Sequence, residues 1–124
     1  VKLAAVRRVA LALPDTTEEP HHTYGSFRVR GRIFVTIPPG DELIHVFLSD
    51  EHRDLALALD PEFIEPVHWG EKVPCVRVRL SAARASTVAE LVRKAYEFKS
   101  ALPPARRTSR STRRRSTVTN PDAP

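Results

Sequence analysis

PHHTYGSFRVRGRIFVTI, residues 20–37, decides the fold. Phe27, Val29, Ile33, Val35 and Ile37 are aromatic or β-branched, and Gly31 separates the two runs, which is the composition of a β-hairpin. Parity tests the turn. A three-residue loop, Arg30 to Arg32, sets Val29 opposite Ile33 and Phe27 opposite Val35, so every apolar residue shares one face. A two-residue loop scatters them over both faces. The pattern therefore predicts the odd-numbered loop, although a glycine at its centre is not the commonest choice. The polar stretch from Thr16 to Gly25, with Pro20 and Gly25, reads as a loop leading into the hairpin.

The rest of the chain supplies partners for that apolar face. Upstream, Leu3, Val6, Ala10 and Leu13 recur at spacings of three and four, the stripe of a helix that Pro14 ends. Downstream, PPGD at 38–41 makes a turn into ELIHVFL, where Ile44, Val46 and Leu48 alternate with Leu43, His45 and Phe47. Ser49 is placed to cap a helix from about Asp50 to Leu59, with Asp50 and Glu51 in the first turn and Pro61 beyond its end. FIEPVHW carries a short fourth strand whose Pro66 suits only a sheet edge. CVRVRL, residues 75–80, alternates cleanly as a fifth strand, and Thr87 with Glu90 forms a capping box ahead of a helix running to about Ser100. The order α-β-β-β-α-β-β-α, with one apolar parity per strand, predicts a two-layer α+β sandwich: an antiparallel sheet with the helices on one face.

A chain of 124 residues is one domain in size, here residues 1–102, with an Arg/Ser/Thr-rich tail over 103–124. The tail has no apolar periodicity and is expected to be disordered. Neither a membrane span nor a secretory signal is expected, and the single cysteine, Cys75, excludes an internal disulfide; both point to the cytoplasm. The formal charge of +5 invites a nucleic-acid reading, but its location matters. Residues 1–105 hold 14 basic and 14 acidic side chains, whereas residues 106–124 hold six arginines against one aspartate. A basic patch on the body must therefore arise by segregation of charge.

These segments resemble the MmcQ/YjbR-like family over roughly residues 2–100. The resemblance rests on ALALPDTTEEPHHTYGSFRVRGRIFVTI, on the strand-to-helix step HVFLSDEHRDLAL, and on HWGEKVPCVRVRL leading into AELVRKAYEFK. It implies a secretion-chaperone-like α+β sandwich and a binding module, not an enzyme; family members are described as DNA-binding, with a double-wing arrangement suggested. Pro74 and Cys75 depart from the aromatic often found before the last strand, and the arginine-rich extension lies outside the resemblance.

Candidate chemistry is sparse. His21 and His22 are adjacent in an extended segment and point apart, and His45, His52 and His68 are scattered, so we expect no metal and no cofactor. Cys75 beside His68 lacks any sign of activation and reads as a small hydrophobe in a strand, so no catalytic residue is assigned. The sheet face away from the helices offers more. It should collect Arg28, Phe34, Thr36, Leu43, His45, Phe47, Arg77 and Arg79, with Arg30 and Arg32 at the hairpin tip. Arginine pairs with phosphate and aromatic rings stack on bases, so this face suits weak, backbone-mediated DNA binding. The plainer alternative is a solvated face whose arginines are neutralised by acids such as Glu42 or Glu71.

Arg106, Arg107, Arg113, Arg114 and Arg115 in the tail would attract any polyanion, and phosphorylation at Ser109, Ser116 or Thr117 would weaken that attraction. Trp69 is expected to anchor its loop onto the sheet, with a partner-facing ring as the alternative. Two other functions stay open: a chaperone-like protein-interaction module, and a small-molecule site near Tyr24, His45 and Trp69.

Overall fold

The computed structural model describes residues 1–104. The tail expectation, with Arg106, Arg107, Arg113, Arg114 and Arg115 and the sites Ser109, Ser116 and Thr117, lies outside the described residues. The chain forms α1 (Leu3–Leu11), β1 (Thr16–His21), β2 (Tyr24–Val29), β3 (Arg32–Ile37), β4 (Leu43–Val46), α2 (Asp50–Leu59), β5 (Ile64–Trp69), β6 (Lys72–Arg79) and α3 (Ala85–Ser100). All strand pairings are antiparallel, in the order β1-β2-β3-β4-β6-β5. The α+β class and its order of helices and strands are as the apolar pattern predicts, with one strand added in front.

That strand is β1, in the segment read as a loop. TTEEPH has no apolar residue and is mostly exposed; its strand conformation comes from pairing with β2, from Thr16 opposite Val29 to His21 opposite Tyr24. Pro20 is tolerated there because β1 is an edge strand, and Pro66 sits likewise in β5 at the other edge.

The β2–β3 hairpin corrects a second expectation. Its turn is the two-residue Arg30–Gly31, both at positive φ (50° and 84°), because Val29 pairs with Arg32. Gly31 adopts this backbone without penalty, and such turns match the strand twist. The parity conflict is resolved by a β-bulge: Phe27 pairs with Val35 but Arg28 with Ile33, leaving Phe34 as the extra residue. Phe34 thereby joins Val35 in the core and meets Tyr96 of α3 edge to face, with ring centroids 5.7 Å apart, while Ile33 is left half-buried. Phe34 is therefore not on the open face, as parity had placed it.

One core cluster joins Val6 and Ala10 of α1, Ala56 of α2 and Val88, Leu91, Val92 and Ala95 of α3 to Phe27, Val35, Ile44, Val46, Val76 and Val78 of the sheet. The spacing in α3 is the helical stripe that the sequence shows. Ser49 caps α2, its Oγ accepting from the His52 N–H at 3.3 Å. Thr87 does not cap α3: the helix begins at Ala85, so Thr87 lies within its first turn.

Candidate functional site

Alternation in the strands sends one set of side chains away from the core. Register aligns them into a polar row that crosses all six strands: Glu19 opposite Ser26, Ser26 opposite Thr36, Thr36 opposite His45, His45 opposite Arg77, and Arg77 opposite Glu65. Ser26, Thr36 and His45 are buried polar residues, so the row must satisfy its own hydrogen bonds. Ser26 Oγ donates to the Glu19 carbonyl at 2.7 Å and accepts from Arg28 Nε at 3.0 Å. Arg77 donates through Nε to His45 Nε2 at 3.3 Å and through Nη1 to Glu65 Oε2 at 2.8 Å.

His45 is driven neutral. Burial, reinforced by the neighbouring Arg77 charge, lowers its pKa to about 4. Because Nε2 accepts from Arg77, the neutral ring carries its proton on Nδ1. Tyr24 stands beside it, with ring centroids 6.0 Å apart.

Over this row lies a cleft of about 380 Å³. Thr36, His45 and Arg77 contribute to its lining from the polar row, Ile33, Val67 and Cys75 from the strands around it, Phe47 from just beyond β4, and His21 to Tyr24 from the β1–β2 connection, where the His21 and His22 rings do not point apart but have centroids 4.8 Å from one another. Trp69 of β5 lines it as well and is 48% exposed. Its expected role as a buried anchor is thus corrected: with β5 on the sheet edge, nothing among the described residues closes over the ring. Tyr24, His45, Phe47 and Trp69, four of the five proposed partner contacts, share this cleft; Phe34 does not.

The arginines divide. Arg28, Arg77 and Arg79 carry the open-face charge. Arg28 is held by Ser26 Oγ and the Pro20 carbonyl, and Arg79 by the Glu62 carbonyl at 2.7 Å. Only Arg77 is locked into a short carboxylate contact, with Glu65; Glu19 is 3.9 Å from Arg28. At the hairpin tip, Arg30 donates to the Ser100 carbonyl and Arg32 to the Pro103 carbonyl, so both clasp the end of α3 and the segment after it. The partners Glu19, Glu62 and Glu65 were not foreseen; they follow from cross-strand register and the β5–β6 pairing, which composition does not reveal.

Among the described residues no group of three or more His, Cys, Asp or Glu side chains converges to hold a metal ion. No helix among them is long and apolar enough to cross a membrane. Burial pushes the Cys75 thiol up to about 12, which keeps it protonated.

A family model described as YjbR matches residues 11–98. The chain belongs to the YjbR family. A solved structure, the crystal structure of Deinococcus radiodurans protein DR2400, family-model domain DUF419, is similar in fold to this YjbR chain. Its TM-score is 0.65 at 22% identity, covering 78% of this chain and 77% of that one. No curated protein matches.

Proposed function

We propose that this YjbR-family chain is a non-enzymatic nucleic-acid-binding module of the cytoplasm, holding its ligand on the open face of the sheet. The observation that carries the reading is Arg77 with a half-exposed Trp69 in one cleft, on a sheet face that also bears Arg28 and Arg79 outside the cleft lining. Guanidinium groups suit phosphate, and an exposed aromatic ring suits stacking on a base. Arg28 and Arg79 donate to neutral oxygens, which satisfies their geometry without cancelling their charge. The binding expected is weak and backbone-mediated, because Glu19 and Glu65 lie beside the same arginines and the body is charge-balanced. The six arginines after residue 105 add a sequence-independent attraction. A protonated Cys75 supports the non-catalytic reading.

The test is fluorescence anisotropy with duplex and single-stranded DNA at two salt concentrations, using the full chain and a chain ending at Pro104. Binding that survives in the shorter chain, weakens as salt rises and falls further in Arg28→Gln/Arg79→Gln is the expected result. Loss of all binding with the tail sinks the assignment to the fold.

A second reading has a specific observation behind it. Tyr24, His45 and Trp69 line one cavity within the size range of small-molecule sites, roughly 300–1,000 Å³. Under that reading the ligand is a small planar compound and DNA does not bind the shorter chain.

A further inference from the structure

The cleft constrains its occupant by size and by lining. At about 380 Å³ it accommodates one nucleotide-sized group and excludes a helix or a duplex. Trp69 and Tyr24 contribute aromatic rings to its lining, and the cross-strand pair Thr36 and His45 contributes the polar groups. We propose that the cleft seats one unpaired base of a single-stranded nucleic acid, with Trp69 as the stacking face and His45 and Thr36 meeting the base edge. This rests on the nucleic-acid reading above and narrows it from strands in general to an unpaired one.

The chemistry of that polar pair is specific. Arg77 occupies His45 Nε2, so the imidazole has a fixed N–H donor on its other nitrogen. Thr36, its register partner, brings a hydroxyl that either donates or accepts. A donor beside a two-way group matches the mixed donor and acceptor edge that an unpaired base displays. Arg77 lines the cleft and its Nη2 has no protein acceptor among the described residues, which leaves an N–H donor available to a phosphate of the same strand. A base inside a duplex is stacked on both sides and cannot enter.

Trp69 is the only tryptophan, so its emission reports on the cleft directly. The full chain is titrated with a short oligothymidylate, with an abasic strand of the same length, with the strand in duplex form, and with thymidine monophosphate. The intact strand is expected to quench Trp69 saturably and to bind about tenfold more tightly than the abasic strand or the duplex. The abasic strand carries the same phosphates, so the basic tail contributes equally to both. Trp69→Ala, followed by anisotropy of a labelled strand, should remove that tenfold preference, and Trp69→Phe should restore most of it. Equal affinity for intact and abasic strands, with unchanged Trp69 emission, overturns the base seat and leaves the nucleic-acid reading standing. Failure to bind any of the strands overturns both. Monophosphate binding as tight as that of the strand overturns the assignment to a strand and identifies the free nucleotide as the ligand.

Discussion

Arg77 on β6 donates its Nε–H to Nε2 of His45 on β4, 3.3 Å away in the middle of the open face. A cation and a ring that must stay neutral to accept its hydrogen bond are locked together, and the pH response of the fold follows. The His45 pKa lies at about 4, below its ordinary 6.5, so the unfolded chain takes up the proton first as pH falls. The contribution to stability is complete above pH 6.5 and is lost as pH drops through about 4. It amounts to something on the order of 3 kcal/mol. Urea unfolding at pH 7 and pH 4.5 should show a steeper loss for the native chain than for His45→Gln. Parallel losses in the two proteins would remove His45 as the cause.

The bulge in β3 makes neighbouring residues unequal. Phe34 is fully buried against Tyr96, whereas Ile33 is half-buried at the cleft. Phe34→Ala should cost about 3–5 kcal/mol in urea unfolding. Ile33→Ala should cost about 1 kcal/mol. The reverse ranking would restore the simple alternation and eliminate the bulge.

The hairpin tip acts on a distant helix end. Arg30 reaches the Ser100 carbonyl and Arg32 the Pro103 carbonyl, where positive charge also complements the helix dipole. Arg30→Ala with Arg32→Ala should speed amide exchange over residues 96–102, with a global loss of about 1–2 kcal/mol. Exchange there that matches the native chain would mean the clasp contributes nothing.

Cys75 is 1% exposed and its thiol is raised to about 12. An aromatic disulfide reagent at pH 8 should leave the folded chain unmodified over the time in which urea-unfolded chain reacts fully. Rapid modification of the folded chain would show that the cleft lining around Cys75 opens.

Fold class was legible because the core residues Ile44 and Val46 of β4 and Val76 and Val78 of β6 keep one parity and because α1 and α3 keep their stripes. Ser49 was legible as a cap because its chemistry is local. What escaped was written in pairing rather than in pattern. β1 has no apolar residue to announce it and exists because β2 offers a ladder. The bulge shifts register by one residue without any signature in residue type, and that single shift exchanged Phe34 and Ile33. The open-face set Arg28, Thr36, His45, Phe47 and Arg77 could be assembled from parity alone, whereas Tyr24 and Trp69 lie outside that parity argument. Their acidic and carbonyl partners could not, because Glu65 meets Arg77 only through the β5–β6 register.

The prolines in the two outer strands, Pro20 and Pro66, have a consequence for assembly. Each interrupts the row of N–H donors that an incoming strand would need, so neither flank templates a seventh strand. Recruitment of an extended peptide by sheet extension, or polymerisation of one copy onto the next, is obstructed at both flanks by the covalent chemistry of the chain.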